Sequence, residues 1–531
     1  MTRPHQMQPV ALEEEGSGFP NGARSDRPDA GPAAEGGNGS GWRRAARRGW
    51  PIAATVVVAL ALGGAQLVLD ARERGRLNQL RSVPGVLAAV DPSTLRELWS
   101  SESPGVATGA NVGGDLVRGV ASPDGSQLVE LLDGGSGGAL WSAPVAPPDP
   151  NLAEAIVTVG PWFGPRCQPV PDRDLVWCTV EDEYPVLDSD TAWSEHGRTR
   201  TVVLDTATGA VVSDHEIASA GAAAVLGDAL LIATTAADGA ASVHAWDLRS
   251  DQPSWQSALP KSEEGAASGG TSDLEPGALQ TTEAVWITAQ GDTIVVHGHR
   301  DVWALSEDGQ VLRTFPFGDR QAYVQLLRGQ LWSKLDYSAA STAMLSLLRA
   351  DGSWTQPVAE QPVSLAIDDG SAADLCFLSG RARLRAVDCE SGAERWDEAS
   401  SESTSGLLLD GTLYSATRTQ VTAMNASTGE LRWRSVRDAT LSLSSEQVFT
   451  DGESLFVLEY APAADGDSGA AQGTTDLVAL SMADGSESWR IPLTESSTYS
   501  SLSISELGGR LAISTTDEWG DSHITRVYGS P

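Results

Sequence analysis

At 531 residues and a formal net charge of −35, the chain can hold several domains or one large repeat array, and its acidity argues against nucleic acid or anionic lipid surfaces as partners. The charge is uneven, because residues 1–50 carry seven Arg against six acidic residues and the remainder sums to −36. Lysine occurs only at Lys261 and Lys334, and this Arg-, Ala- and Gly-rich usage suggests a GC-rich, actinobacterial genome.

Residues 1–49 lack apolar periodicity and are rich in Gly, Pro, Ala and Ser, the composition of a disordered tail. Pro51 to Leu69 is an uncharged, almost wholly apolar run of 19 residues. As a helix rising about 1.5 Å per residue it nearly spans the hydrocarbon core. Residues 50–70 are therefore expected to form one transmembrane helix, followed by a juxtamembrane stem over 71–82. Arg43, Arg44, Arg47 and Arg48 precede the span as on a cytoplasmic flank, but Arg72, Arg74, Arg76 and Arg81 follow it, so flanking charge does not fix the orientation. A cleaved signal peptide ending near Gly63-Gly64-Ala65 is the competing reading, which the long polar leader and the full spanning length oppose.

From residue 83 to 531 one pattern recurs: an apolar strand ending in Asp or a small polar residue, Gly four positions later, and Trp four positions after that. Asp91 and Trp99 keep the outer spacing with Leu95 between them, and Asp133, Gly137 and Trp141 keep all of it. Asp205 and Gly209 are followed by Ser213 where Trp would stand, and Asp247 pairs with Trp255. Copies near Gly309 and near Asp351 to Trp354 are degenerate. Three nearly complete copies follow: Asp388, Gly392 and Trp396; Asn425, Gly429 and Trp433; Ser481, Gly485 and Trp489. Trp99 to Trp141, Ser213 to Trp255 and Trp354 to Trp396 are each 42 residues apart, within the length range of a four-stranded propeller blade.

Each element of the pattern has a physical reason. A short polar side chain at a strand end accepts a backbone N–H and starts a turn, and Gly supplies the positive φ where the hairpin closes. Trp on the following strand is large enough to fill the wedge between neighbouring blades. Between motifs, runs such as Ser405 to Leu409, an Asp410-Gly411 turn and Thr412 to Ala416 read as two inner strands, as do Ala284 to Thr288 and Thr293 to His297 around Gly291-Asp292. The fold expected is all-β, a propeller of four-stranded blades behind one transmembrane helix.

All four cysteines lie beyond the apolar run in two local pairs, Cys167 with Cys178 and Cys376 with Cys389. That arrangement favours disulfides and an oxidising compartment over free buried thiols or a zinc site, and it places the propeller outside the cytoplasmic membrane. The polar segments 144–200, 256–282 and 460–475 are expected to project from the ring as insertions. His297 and His299 could share a metal but lack a third ligand in the sequence, and hairpin-end histidines are usually solvated. The acidic stretches Glu181 to Glu183 with Asp188 and Asp190, and Asp465 with Asp467, lack the twelve-residue calcium-loop pattern.

Asn425-Ala-Ser-Thr-Gly429 and Asp205-Thr-Ala-Thr-Gly209, each after an apolar strand, resemble the pyrroloquinoline-quinone repeat family. The resemblance covers residues 83 to 531 and implies a closed propeller, commonly of eight blades, with seven and nine left open because nine motif positions can be counted. Val86 to Trp99 is expected to supply closing strands to a last blade containing Ser501 to Ser505, Leu511 to Ser514 and His523 to Val527.

Enzymes of this family resemble one another in a vicinal cysteine pair, a carboxylate base and a calcium held by Glu, Asn and Asp. This chain has no vicinal cysteines, so it looks closer to the scaffolding members, such as the propeller lipoprotein of outer-membrane assembly, although it lacks a lipobox cysteine. It also lacks a phosphate-binding loop and His-Glu-x-x-His. No catalytic, cofactor or metal residue is assigned. The expected role is non-catalytic binding of a protein or cell-envelope partner by a propeller held to the cytoplasmic membrane. The alternative is a quinone-dependent oxidoreductase with an atypical site.

Overall fold

The computed structural model describes residues 71–530 apart from 103–108, 160–163, 181–198, 218–220, 236–239, 261–284, 299–300, 317–321, 337–343, 350–351, 438–441, 444–446, 462–472, 497–498, 518–522 and a few isolated positions. The expected tail and transmembrane helix therefore lie outside the described residues, as do His299 and the acidic stretches singled out above. Among the described residues, no helix is long and apolar enough to cross a membrane. Glu73–Pro531 forms one compact unit.

Among the described residues, 37 strands form nine sheets, antiparallel except for one pair, so the family's usual eight blades give way to nine. The reason is local: each of the nine motif positions, however degenerate, builds one sheet. Blade 1 runs Ala110–Val112, Asp115–Ala121, Gln127–Leu132 and Ala139–Ala146. The ring closes as expected, but through a single strand, because Arg96–Ser101 pairs with His523–Gly529 to complete blade 9. Second strands such as Thr412–Thr417 are buried throughout, as sheets packed on both faces require.

In a meander of this kind successive connections alternate between the two ends of the blade. The first-to-second and third-to-fourth connections share one face of the ring, and they are mostly tight, blade 6 being an exception with residues 363–374 between its first two strands. Gly114 lies against Gly508 and Gly291 against Gly329, turn to turn across blade boundaries. Arg328 and Asp410 take φ of 48° and 51° ahead of Gly329 and Gly411, which closes a two-residue hairpin at Asp410-Gly411 and the turn of a three-residue one at 328–330.

The stretches 181–198 and 462–472 join second to third strands, and 261–284 joins blade 3 to blade 4. The strand ends that flank them, Val180 and Thr199, Ala461 and Gly473, and Ala258 and Trp286, are therefore at the opposite face, called here the loop face. The expected insertion 144–200 needs correction, because it contains the helix Pro150–Val159 and the strands Arg166–Pro169 and Leu175–Val180, half of blade 2. Its polarity hid a hairpin that the Cys167 and Cys178 pair marks.

Residues 71–81 are helical, and the stem is seated on the turn face of blades 7 and 8. Leu80 is buried against the core that holds Leu409, Tyr414 and Leu455, and Arg81 Nε donates to Asp451 O at 3.1 Å. Leu87 and Ala88 then donate backbone N–H groups to Thr450 O and Gly509 O as the chain crosses toward blade 9.

Candidate functional site

The motif residues weld blade to blade. Asp133, Asp205 and Asp388 each accept from the backbone N–H and hydroxyl of the Ser or Thr three positions on, at 2.7–3.0 Å. Hydrogen bonds from Ser391, reinforced by Arg395, hold the Asp388 carboxyl well below the usual carboxylate range. Asn425 makes the same turn with Thr428 N at 3.0 Å. Gly137, Gly209, Gly429 and Gly485 sit at φ of 68–75° beneath the Trp of the preceding blade.

The Trp residues bond to one repeated acceptor, which the sequence did not reveal. Trp99, Trp141, Trp396 and Trp433 donate Nε1–H to Gly134, Thr206, Ala426 and Met482 carbonyls at 2.8–3.0 Å, in each case the residue after the first motif position of the next blade. Trp255 reaches Glu307 O in blade 4 the same way at 3.0 Å. Ser213 replaces both functions only in part, its hydroxyl donating to Leu248 O after Asp247 at 2.8 Å. Trp489 and Leu95, the residue at the Gly position after Asp91, both pack against the core shared by blades 8 and 9.

Both cysteine pairs are disulfides, Cys167 with Cys178 and Cys376 with Cys389. Each lies in the core between two blades, the first among Val129, Leu131 and Val176, the second among Leu331, Leu345 and Leu347.

The Trp weld is missing where blade 5 meets blade 6. Gly392 faces Leu331 and Leu347 there, and no indole covers it. Beside this junction the inner strand of blade 6 splits. Glu360–Pro362 pairs with Leu375–Gly380, but Ser364–Asp368 swings away and pairs parallel with Ser405–Leu409 of blade 7. The divergence leaves a cleft of about 460 Å³ on the inner wall, lined by residues that include Tyr323, Gln325, Gln361, Ser364 and Phe377. Arg328 latches its turn-face end. Its guanidinium donates to Ala372 O at 2.5 Å, to Leu375 O at 2.8 Å and to Asp368 Oδ2.

His297 is not the solvated hairpin-end residue expected from sequence. It is buried, its ring stacks on Tyr323 with centroids 4.8 Å apart, and burial pushes its pKa down to about 4, so it is neutral at physiological pH. Among the described residues, no group of three His, Cys, Asp or Glu side chains could hold a metal.

The residues present do not suit the quinone and calcium that the repeat resemblance brings to mind. The bridged cysteines are 11 and 13 positions apart rather than vicinal, and the carboxylate nearest the inner-wall cleft, Asp368, is neutralised by Arg328.

Among solved structures, BamB from Moraxella catarrhalis is 15% identical, with 82% of this chain and 99% of that chain covered and a TM-score of 0.39. A quinohemoprotein alcohol dehydrogenase from Comamonas testosteroni is also 15% identical, covering 83% and 78% with a TM-score of 0.38. A europium-containing methanol dehydrogenase is 12% identical, covering 73% and 91% with a TM-score of 0.36. No curated protein matches the chain. The family described as outer membrane protein assembly factor BamB matches residues 197–435 and 351–528, more than half of the sequence, and the chain belongs to that family of propellers.

Proposed function

We propose that this chain is a single-pass, membrane-tethered propeller that lies outside the cytoplasm and holds a protein or cell-envelope partner without catalysing a reaction. The observation that carries this reading is the asymmetry of the ring. Mostly tight hairpins occupy the turn face, while the strand ends joined by the long connections 181–198, 261–284 and 462–472 are all at the loop face. Recognition concentrates in loops held on a rigid scaffold. The family's description names an assembly factor, which agrees with a scaffolding role.

The apolar run at 50–70 supports the tether, with residues 1–49 as its cytoplasmic tail. Two disulfides support an oxidising compartment for the ring. The chain enters the ring at the turn face, through the stem helix, which leaves the loop face free of that connection.

Crosslinking in intact cells, followed by affinity capture of the full chain, is expected to recover a partner that is lost when 181–198 and 261–284 are shortened. Equal recovery from the shortened chain would overturn the loop face as the binding surface. Addition of pyrroloquinoline quinone and calcium to the purified chain is expected to give neither a spectral shift nor dye reduction. Dye reduction would favour the oxidoreductase reading instead.

A further inference from the structure

Where a blade has a fourth strand, that strand ends its sheet, and its outer edge offers unpaired N–H and C=O groups to other chains. Proline or an acidic side chain guards most of these edges. Pro144, Pro253, Pro316 and Pro492 lie in the outer strands of blades 1, 3, 4 and 8, and the outer strands of blades 2, 6 and 9 contain Asp or Glu. Among the described residues, Leu431–Val436 of blade 7 is the outer strand with neither.

That strand is basic in a chain of net charge −35. Arg432 and Arg434 are exposed and pair with no carboxylate among the described residues, and exposed Arg418 belongs to the hairpin whose Gln420 lies opposite Val436. Leu431 and Val436 leave apolar surface in water, at 46% and 70% exposed. The register fixes which backbone groups are on offer. Arg437 N donates to Thr419 O, and Ser435 and Trp433 stand opposite Val421 and Ala423, so the ladder to the third strand takes the N–H and C=O groups of these alternate residues. Arg434 and Val436 therefore turn theirs outward, and their side chains share one face of the sheet.

A second copy of the chain does not suit this edge. Two antiparallel copies of the strand bring Arg432 and Arg434 toward their counterparts, and both chains carry the same large negative charge. We propose that the outer edge of blade 7 docks an extended acidic segment of a partner protein, which adds to Leu431–Val436 as a further strand. Main-chain bonds to Arg434 and Val436 supply the ladder, and an acidic side chain opposite Arg434 sets the register. The edge runs along the rim of the ring and not among the loop-face connections. Shortening 181–198 and 261–284 therefore leaves it unchanged, and this inference and the loop-face reading fail separately.

The test is fluorescence anisotropy of a labelled hexapeptide of alternating Thr and Glu, titrated with the purified full chain. Saturable binding is expected, about tenfold tighter than for the counterpart with Gln in place of Glu, and weakened by added salt. Two N-methylated versions separate strand addition from charge alone. Methyl groups on the Glu amides, which face Arg434 and Val436, should abolish binding, and methyl groups on the Thr amides should leave it. Arg434→Glu is expected to weaken binding by about tenfold, because like charges then stand opposite each other. Arg96→Glu, on the outer strand of blade 9, should leave it unchanged. Both arginines are exposed, so both variants should melt with the parent, and a loss of binding is not a loss of folding. Absence of saturable binding would overturn the proposal, as would equal affinity for the Glu and Gln peptides, equal effects of the two methylations, or full affinity in Arg434→Glu. Self-association of the chain that Arg434→Glu abolishes would overturn it in favour of a second copy.

Discussion

Trp433→Ala is expected to destabilise the propeller by about 3–5 kcal/mol, the range for removing a buried indole, and the midpoint of denaturant unfolding would report it. Trp433 is buried in the core shared by blades 7 and 8, beside Tyr414 at a centroid distance of 6.1 Å. Its Nε1–H donates to Met482 O at 2.9 Å, so truncation also leaves a carbonyl without its donor. The ring lies over Gly485, where an added Cβ would come within 2.4 Å of it at a φ of 72°. Gly485→Ala should therefore destabilise through both steric overlap and backbone strain. In a double-mutant cycle the overlap vanishes once Trp433 is gone, leaving only the strain. Additive effects of the two substitutions would show that the indole and the glycine do not form one joint.

That joint explains how far the sequence could be read. The turn chemistry is local, so Asp388, Ser391 and Gly392 declare a hairpin without reference to the rest of the chain. The cysteine pairs were legible for the same reason, since each bridges neighbouring strands of a single blade. The cleft was not legible. It arises because Ser364–Asp368 joins blade 7 in place of continuing along blade 6, a choice between two sheet edges that no local pattern encodes. Its nearest signal was negative: the motif copy near Asp351 is degenerate, and blade 5, which it builds, forms one wall of the cleft. His297 was misread because burial of its strand end depends on Tyr323, which belongs to the next blade.

Glu459→Ala is expected to cost about 3 kcal/mol, the lower end of the range for breaking a buried pair, because it removes the centre of a buried charge network and leaves Arg437 and Arg490 with only the more exposed Glu487 and Asp476. Glu459 is fully buried in the second strand of blade 8. Arg437 Nε lies 2.8 Å from its Oε1, and Arg490 reaches its Oε2 while also pairing with Asp476 and Glu487. Arg437 is itself only 8% exposed, so water cannot replace the lost carboxylate. Burial alone would raise the Glu459 carboxyl, but hydrogen bonds and charge from Arg437 and Arg490 outweigh it and hold the group below its ordinary value of 4.5. A carboxyl depressed in the folded state stabilises fully above the unfolded value, and that contribution is lost as pH falls through the folded one. Wild-type stability should therefore decline below about pH 4.5. In Glu459→Gln, which keeps the volume and loses the charge, part of that decline should be absent. Parallel acid profiles for parent and Glu459→Gln would place the acid sensitivity in other carboxylates. A cost near zero for Glu459→Ala would show that Asp476 and Glu487 suffice to neutralise both arginines.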